Sequence, residues 1–105
     1  MKTNVIEMTK SREAMEREDR FGAHNYHPIP VVIEKGEGVF VWDVEGKKYF
    51  DFLSAYSALN QGHNHPKIVN TLIDQLKTLS LTSRAFYNNV LGEYEEFIKI
   101  GRAHV

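Results

Sequence analysis

Apolar and polar residues alternate between Val31 and Leu53, and this stretch predicts three antiparallel strands. The predicted strands read VVIEK, VFVWDV and KKYFDFL, with turns at Gly36-Glu37-Gly38 and Glu45-Gly46. In the second strand Val39 and Val41 fall on one face, while Phe40 and Trp42 fall on the other. Most of these aromatic side chains are expected in the core. The sequence therefore predicts a small β-meander.

After Pro66, apolar residues recur every three to four positions, and this spacing predicts an amphipathic helix from Ile68 to Leu79. Asn64 is its expected N-cap, and Pro66 sits in the first turn, where a missing N–H costs nothing. A second helix is predicted to begin at Leu91 and run to Ile100.

The amino-terminal part predicts one further helix, capped by Thr9 or Ser11 and running to about Asp19. Ala14 and Met15 are expected to face inward. Two ion pairs at i,i+4 spacing are expected on its solvated side, Glu13–Arg17 and Glu16–Arg20.

Composition bounds the class of protein. The chain has 105 residues, a net charge of -1 and no cysteine, so nucleic-acid or acidic-membrane binding through charge is not favoured and disulfides are excluded. No apolar run reaches the roughly 18–20 residues of a bilayer span. The first twenty residues are rich in acidic side chains, unlike a transit peptide, so we expect a cytoplasmic protein.

Several kinds of catalytic site find little support in the residues. The five histidines match no zinc spacing, and no nucleophile elbow surrounds any serine. Gly36-x-Gly38 lacks the third glycine and the following helix of a phosphate loop. Two tyrosines stand out instead. Tyr26 lies in the proline-flanked segment HNYHPIP, and Tyr56 lies where the last strand gives way to polar residues. Taken alone, the residues support binding better than catalysis.

Longer segments of the sequence resemble those of a known enzyme family. GVFVWDVEGKKYFDF followed by GHNHP is similar to the class III pyridoxal-phosphate-dependent aminotransferases. HNYHP, FLSAYSALNQGH and TSRAFYNNVLGEYEEF resemble the ornithine aminotransferases within that class. The resemblance runs from about Phe21 to Ile98.

The resemblance implies an α+β fragment of a fold type I pyridoxal-phosphate enzyme. Residues 1–98 would supply an N-terminal helix, the three-stranded β-meander and the following helices, that is, a segment of the small domain and the start of the large one. It implies transfer of the δ-amino group of L-ornithine to 2-oxoglutarate, pyridoxal 5'-phosphate as cofactor, and a homodimer or higher homo-oligomer. No nucleic-acid or membrane partner is expected.

The resemblance also implies roles for the two tyrosines. Tyr26 matches the family tyrosine that contacts the substrate α-carboxylate, and Tyr56 the one that directs the δ-amine toward the cofactor. The Schiff-base lysine belongs to a later part of the family pattern, so no catalytic and no cofactor-binding residue is expected here. It matches none of Lys35, Lys47, Lys48, Lys67, Lys77 and Lys99. The fragment by itself is therefore expected to be inactive.

Residues 99–105, KIGRAHV, depart from the family pattern. IGRAHV is what the first bases of a widely used sequencing adapter encode, so we expect this tail to be non-native. Two other functions remain open. One is another class III ω-aminotransferase, of the acetylornithine or 4-aminobutyrate type, and the other is a stand-alone interaction domain built on the β-meander.

Overall fold

The computed structural model describes residues 9–100, with side chains described through residue 99. The elements in chain order are α1 (Lys10–Phe21), β1 (Ile33–Glu37), β2 (Phe40–Asp43), β3 (Lys48–Phe50), α2 (Ser54–Ser57), α3 (Pro66–Leu76) and α4 (Leu91–Ile100). They form two units, one ending at Val69 and the other beginning at Asn70. The predicted α+β composition, with a three-stranded antiparallel sheet between helices, is confirmed.

Helix α1 begins after Thr9, as the sequence predicts. The Thr9 hydroxyl accepts a hydrogen bond from the Arg12 N–H at 3.2 Å, which satisfies one of the free donors of the first turn. The helix continues to Phe21, two residues beyond the expected end, and the Gly22 N–H closes its last turn on the Glu18 carbonyl at 2.7 Å.

One of the two expected ion pairs of α1 forms. Arg17 contacts Glu13 at 2.8 Å, as predicted. Glu16 instead pairs with Arg12, at 3.1 Å, so the prediction of a Glu16–Arg20 pair is wrong. Glu16 has an arginine four residues away on either side, and the guanidinium of Arg20 is instead held over the Phe21 ring, 5.5 Å from its centre.

The three strands pair in the order β1-β2-β3, all antiparallel. The predicted turn at Gly36-Glu37-Gly38 is wrong in its placement, because β1 runs through Glu37 and Gly36 pairs with Val41. The chain turns at Gly38 and Val39, and Gly38 has a φ of 58°, which glycine adopts without strain. Gly36 serves a different purpose: a Cβ there would lie 2.7 Å from the ring of His63.

The two faces of the sheet differ in burial. Val41 is the one buried hydrophobic side chain among the described residues, and it shares its face with the buried Asp43. On the opposite face the ring of Phe50 lies 4.9 Å from that of Phe40 and 6.0 Å from that of Phe52. The expectation that most of the aromatic side chains in the predicted strands are core is wrong, because Phe50 and Phe52 are exposed and the other three are only half-buried. Phe50, on the same face, is 63% exposed.

Lysine side chains lie on the rings of the aromatic face. The Lys48 ammonium is 3.8 Å from the centre of the Phe40 ring, and the Lys35 ammonium is 4.7 Å from that of Trp42. A cation over an aromatic ring is attracted by the electron-rich face of the ring, and the lysine stems cover part of the apolar surface.

The buried carboxylate of Asp43 organises the β2–β3 hairpin. It accepts hydrogen bonds from the backbone N–H groups of Glu45 and Lys47, at 3.0 and 2.9 Å, and from the Tyr49 hydroxyl at 2.7 Å. The Tyr49 hydrogen bond and then the Lys47 backbone N–H lower the pKa of Asp43 from its ordinary 3.8, because they stabilise the charged form. Gly46 takes the positive φ of the turn, 86°.

Helix α3 begins at Pro66, but its cap is not the expected one. Asn64 has a φ of 53° and donates from its side chain to the Gly36 carbonyl at 2.8 Å, so the N-cap prediction for Asn64 is wrong. The cap is His65, whose Nδ1 accepts from the Lys67 N–H at 3.2 Å. Asn64 is drawn away because its amide completes a contact with the sheet.

The apolar sides of α3 and α4 are open to solvent in this chain. Ile68 and Leu72 of α3 are each 58% exposed, and Phe97 of α4 is 76% exposed. Helices with apolar stripes ordinarily bury them against another element, so these surfaces are suited to packing against further protein. Within residues 9–100, no helix is long and apolar enough to cross a membrane.

We expect Tyr49→Phe in the complete protein to lower Tm by about 2–4 °C, because Asp43 loses its hydroxyl donor while the ring packing is kept. The hydrogen bond lowers the pKa of Asp43, so its contribution to stability is present above pH 3.8 and is lost as the pH falls through the lower folded-state pKa. Differential scanning calorimetry at pH 7 and near pH 3 should therefore show a gap between variant and parent that narrows in acid. An equal gap at both pH values would contradict the role given to the Asp43 charge.

Candidate functional site

The segment between α1 and the sheet brings two distant tyrosines together. Residues 23–29 have no regular secondary structure, and Tyr26 projects from the middle of them. Its hydroxyl oxygen lies 2.9 Å from the hydroxyl oxygen of Tyr56, thirty residues later in the chain. Both rings are largely exposed, 71% for Tyr26 and 83% for Tyr56, so a small molecule could reach both hydroxyls.

Tyr56 lies in a left-handed backbone turn. The four residues of α2 have φ values of 48°, 50°, 56° and 68°, so α2 is one turn of left-handed helix built without glycine. This conformation costs roughly 1–2 kcal/mol per residue for L-amino acids, because Cβ approaches the following carbonyl oxygen. The turn persists only if its surroundings hold it, and such strain is typical of functional sites.

The carboxylate of Asp51 holds the start of this turn. Its Oδ1 accepts from the backbone N–H groups of Leu53 and Ser54, at 3.0 and 2.9 Å. The Ser54 hydroxyl in return donates to the Asp51 carbonyl at 3.2 Å. The Ser54 N–H and then the hydrogen bond from His63 lower the pKa of Asp51, so the carboxylate is charged at neutral pH.

His63 connects that carboxylate to the sheet. Its Nε2 lies 2.6 Å from Asp51 Oδ2, and both side chains are about four-fifths buried. The backbone of His63 forms an antiparallel bridge with Gly38: its N–H donates at 2.8 Å and its carbonyl accepts at 3.0 Å. The turn that carries Tyr56 is thus fastened to the β1–β2 turn through one histidine.

The contact between the tyrosines alters one of them. The hydrogen bond with Tyr26 raises the pKa of Tyr56 above its ordinary 10.0. Tyr56 is therefore a neutral phenol at physiological pH. When Tyr56 donates to the Tyr26 oxygen, the Tyr26 O–H is free to donate to an anion such as a carboxylate.

Two other histidines make hydrogen bonds at helix ends. A ring nitrogen of His24 bonds to the Asp19 carbonyl at the end of α1, and His65 caps α3. Among the described residues no group of three or more His, Cys, Asp or Glu side chains could hold a metal ion. A groove of about 990 Å³ lies between α1 and residues 24–33, and Tyr26 is part of its wall.

Asp51 and its pairing with His63 are not among the site residues predicted from the sequence. A signal was present in the segment DFLS, because an aspartate whose carboxylate accepts from the backbone N–H groups two and three positions later is typical of a turn. Nothing in the sequence pairs Asp51 with His63, since that contact depends on how the chain returns to the sheet.

Comparison with known proteins places these residues in context. The family model of the class-III aminotransferases matches residues 21–102. The mitochondrial ornithine aminotransferase of Drosophila ananassae is 68% identical over 88 residues, covering 84% of this chain and 20% of the relative. The chain spans about a fifth of the length of the curated relatives that it matches.

The similar solved structures include aminotransferases named for two different substrates. An acetylornithine aminotransferase from Elizabethkingia anophelis is 68% identical, with a TM-score of 0.83 over 86% of this chain and 24% of its own. An ornithine δ-aminotransferase from Plasmodium falciparum is 51% identical, with a TM-score of 0.84 over 88% of this chain and 24% of its own. The predicted resemblance is confirmed.

The tail at residues 99–105 stays a prediction. Lys99 and Ile100 continue α4, and the match to the family model ends at residue 102. Residues 101–105 lie outside the part of the chain that the structure describes.

We expect Tyr26→Phe in the complete protein to lower the pKa of Tyr56 toward 10.0, because the variant removes the hydrogen bond that raises it. Titration of protein labelled with ¹³Cζ-tyrosine would follow the Tyr56 resonance, assigned by its loss in Tyr56→Phe. Tyr94→Phe, on α4, is the matched control and should leave the Tyr56 titration unchanged. An unshifted Tyr56 in Tyr26→Phe would show that the hydroxyl contact does not form in solution.

Proposed function

The chain belongs to the class-III aminotransferases, and we propose that it is the amino-terminal part of an enzyme that transfers the δ-amino group of L-ornithine to 2-oxoglutarate. The products would be glutamate 5-semialdehyde and glutamate. The observation that carries the proposal is the 2.9 Å contact between the hydroxyls of Tyr26 and Tyr56, the two residues expected to recognise ornithine. The identity of 68% to an ornithine aminotransferase supports it.

The two phenols would divide the recognition of ornithine. Tyr26, whose O–H is free when Tyr56 donates to it, would donate to the substrate α-carboxylate in a charge-assisted hydrogen bond. The Tyr56 oxygen would accept from the α-ammonium group. A substrate bound the other way round would leave these groups unpaired, and a site built to hydrogen-bond its substrate discriminates strongly against one that does not pair with it. The δ-amine is then the one that faces the reacting centre.

Pyridoxal 5'-phosphate, the cofactor of the family, supplies the electron sink when bound. The lysine that holds it would come from another part of the enzyme. The ammonium groups of Lys35, Lys47 and Lys48 each lie over an aromatic ring, and Lys77 lies 3.9 Å from Asp74 on α3. These positions support the proposal that the cofactor-bearing lysine is supplied by another part of the enzyme.

Assembly as a homodimer or higher homo-oligomer is part of the same proposal. The apolar residues exposed on α3 and α4, Ile68, Leu72 and Phe97 among them, support a larger folded context than these residues alone. They also weigh against the alternative of a stand-alone interaction domain.

A second candidate is transamination of N-acetylornithine, because a solved structure that is 68% identical bears the name acetylornithine aminotransferase. Acetylation removes the positive charge and two donors from the α-nitrogen. A site in which Tyr56 accepts from an α-ammonium would therefore prefer free ornithine. The substrate preference of the complete enzyme, measured with both compounds and 2-oxoglutarate, separates the two candidates.

We expect Tyr26→Phe to raise KM for ornithine about tenfold, because one charge-assisted hydrogen bond to the α-carboxylate is lost. The measurement is initial-rate kinetics of the complete enzyme carrying residues 21–98 of this sequence. Tyr94→Phe should leave KM unchanged. A normal KM in Tyr26→Phe would rule out the carboxylate contact.

We expect Tyr56→Ile to lower kcat/KM for ornithine by about tenfold or more while favouring 4-aminobutyrate, which has no α-amino group for Tyr56 to recognise. Both substrates should be measured with the same enzyme preparation. The role assigned to Tyr56 is refuted if the ratio of the two kcat/KM values equals that of the parent enzyme.

A further inference from the structure

We propose that Asp51 and His63 are positioning residues that hold the Tyr56 hydroxyl where it selects the amine of the substrate. The inference rests on the proposed function, since it concerns how the same pocket distinguishes ornithine from simpler ω-amines. Asp51 and His63 act through the backbone of the left-handed turn.

The Asp51 carboxylate divides its two oxygens between the turn and the histidine. Oδ1 accepts from the Leu53 and Ser54 N–H groups at the start of α2, and Oδ2 accepts from His63 Nε2 at 2.6 Å. Tyr56 follows Ser54 by two residues, and its hydroxyl lies at the far end of a long side chain. A small rotation of the backbone at Ser54 is therefore amplified at the hydroxyl.

His63 is held from two further directions, which makes it a firm anchor for the carboxylate. Its backbone forms both hydrogen bonds of the bridge to Gly38. Its ring lies so close to Gly36 that a Cβ there would come within 2.7 Å of Cγ and Nδ1. The position of the Tyr56 turn is thus fixed by the paired strands and not by neighbouring loop residues.

A left-handed turn of four non-glycine residues has a more favourable right-handed alternative. Weakening the Asp51–His63 link would let the turn relax and carry Tyr56 away from Tyr26, while the sheet and the helices stay folded. The first property lost would be selectivity for ornithine, because that depends on where one hydroxyl lies.

The test is a double-mutant cycle in the complete, cofactor-loaded enzyme that carries residues 21–98. Asp51→Ala, His63→Ala and Tyr56→Phe are made singly, and the first two are also combined with Tyr56→Phe. For each, kcat/KM is measured with ornithine and with 4-aminobutyrate. Asp51→Asn, which keeps an oxygen acceptor for the turn, is the conservative rescue.

We expect Asp51→Ala and His63→Ala each to lower the ornithine to 4-aminobutyrate ratio about tenfold, and Asp51→Asn to lower it less. In the Tyr56→Phe background neither alanine change should lower the ratio further, because no Tyr56 hydroxyl remains to be placed. A residue with only a structural role would reduce both substrates alike and would not depend on Tyr56.

Two results would overturn the inference: ratios in both alanine variants equal to the parent's, or an undiminished effect in the Tyr56→Phe background. If the alanine variants do not accumulate, Gly36→Ala decides, since its Cβ displaces the His63 ring without removing a hydrogen-bonding group; a parental ratio there overturns the inference. If the parent enzyme itself did not turn over ornithine, that result would instead count against the proposed function.

Discussion

The hydrogen bond between Asp51 and His63 is the constraint on which the site depends. It joins the end of the third strand to the chain that returns toward helix α3, and between these two residues lies the turn that carries Tyr56. The bond is short, largely shielded from water and charge-assisted, so it is stronger than an ordinary surface contact. Its strength offsets part of the cost of a left-handed turn made from serine, alanine and tyrosine.

Much of the fold could be predicted from periodicity. The alternation around Val41 placed the strands, and the three- to four-residue spacing after Pro66 placed α3. Failures occurred where long-range contacts outweigh local preference. Gly36 reads locally as a turn residue, but it lies in a strand because the ring of His63 needs the space beside it. Asn64 reads as a helix cap, but its amide is used by the sheet.

The site residues could be predicted from the family resemblance and not from periodicity. Tyr26 and Tyr56 could be named because the phrases around them resemble a known family, and nothing in the spacing of thirty residues implies that their hydroxyls meet. The left-handed turn under Tyr56 could not be predicted from SAYS, which contains no glycine and no asparagine. Its conformation is imposed from outside, by Asp51 and by the bridge to Gly38, and such imposed geometry is not readable residue by residue.

The exposed aromatic side chains of the sheet have a consequence for biosynthesis. The matched stretch is about a fifth of the curated relatives' length, and translating the rest of a polypeptide that long takes on the order of tens of seconds. Phe50 and Phe52 would stay in contact with water throughout that interval, and Lys48 would shield one flank of the cluster. Contiguous exposed aromatic rings favour self-association, and the Lys48 ammonium opposes it by keeping one flank of the cluster charged.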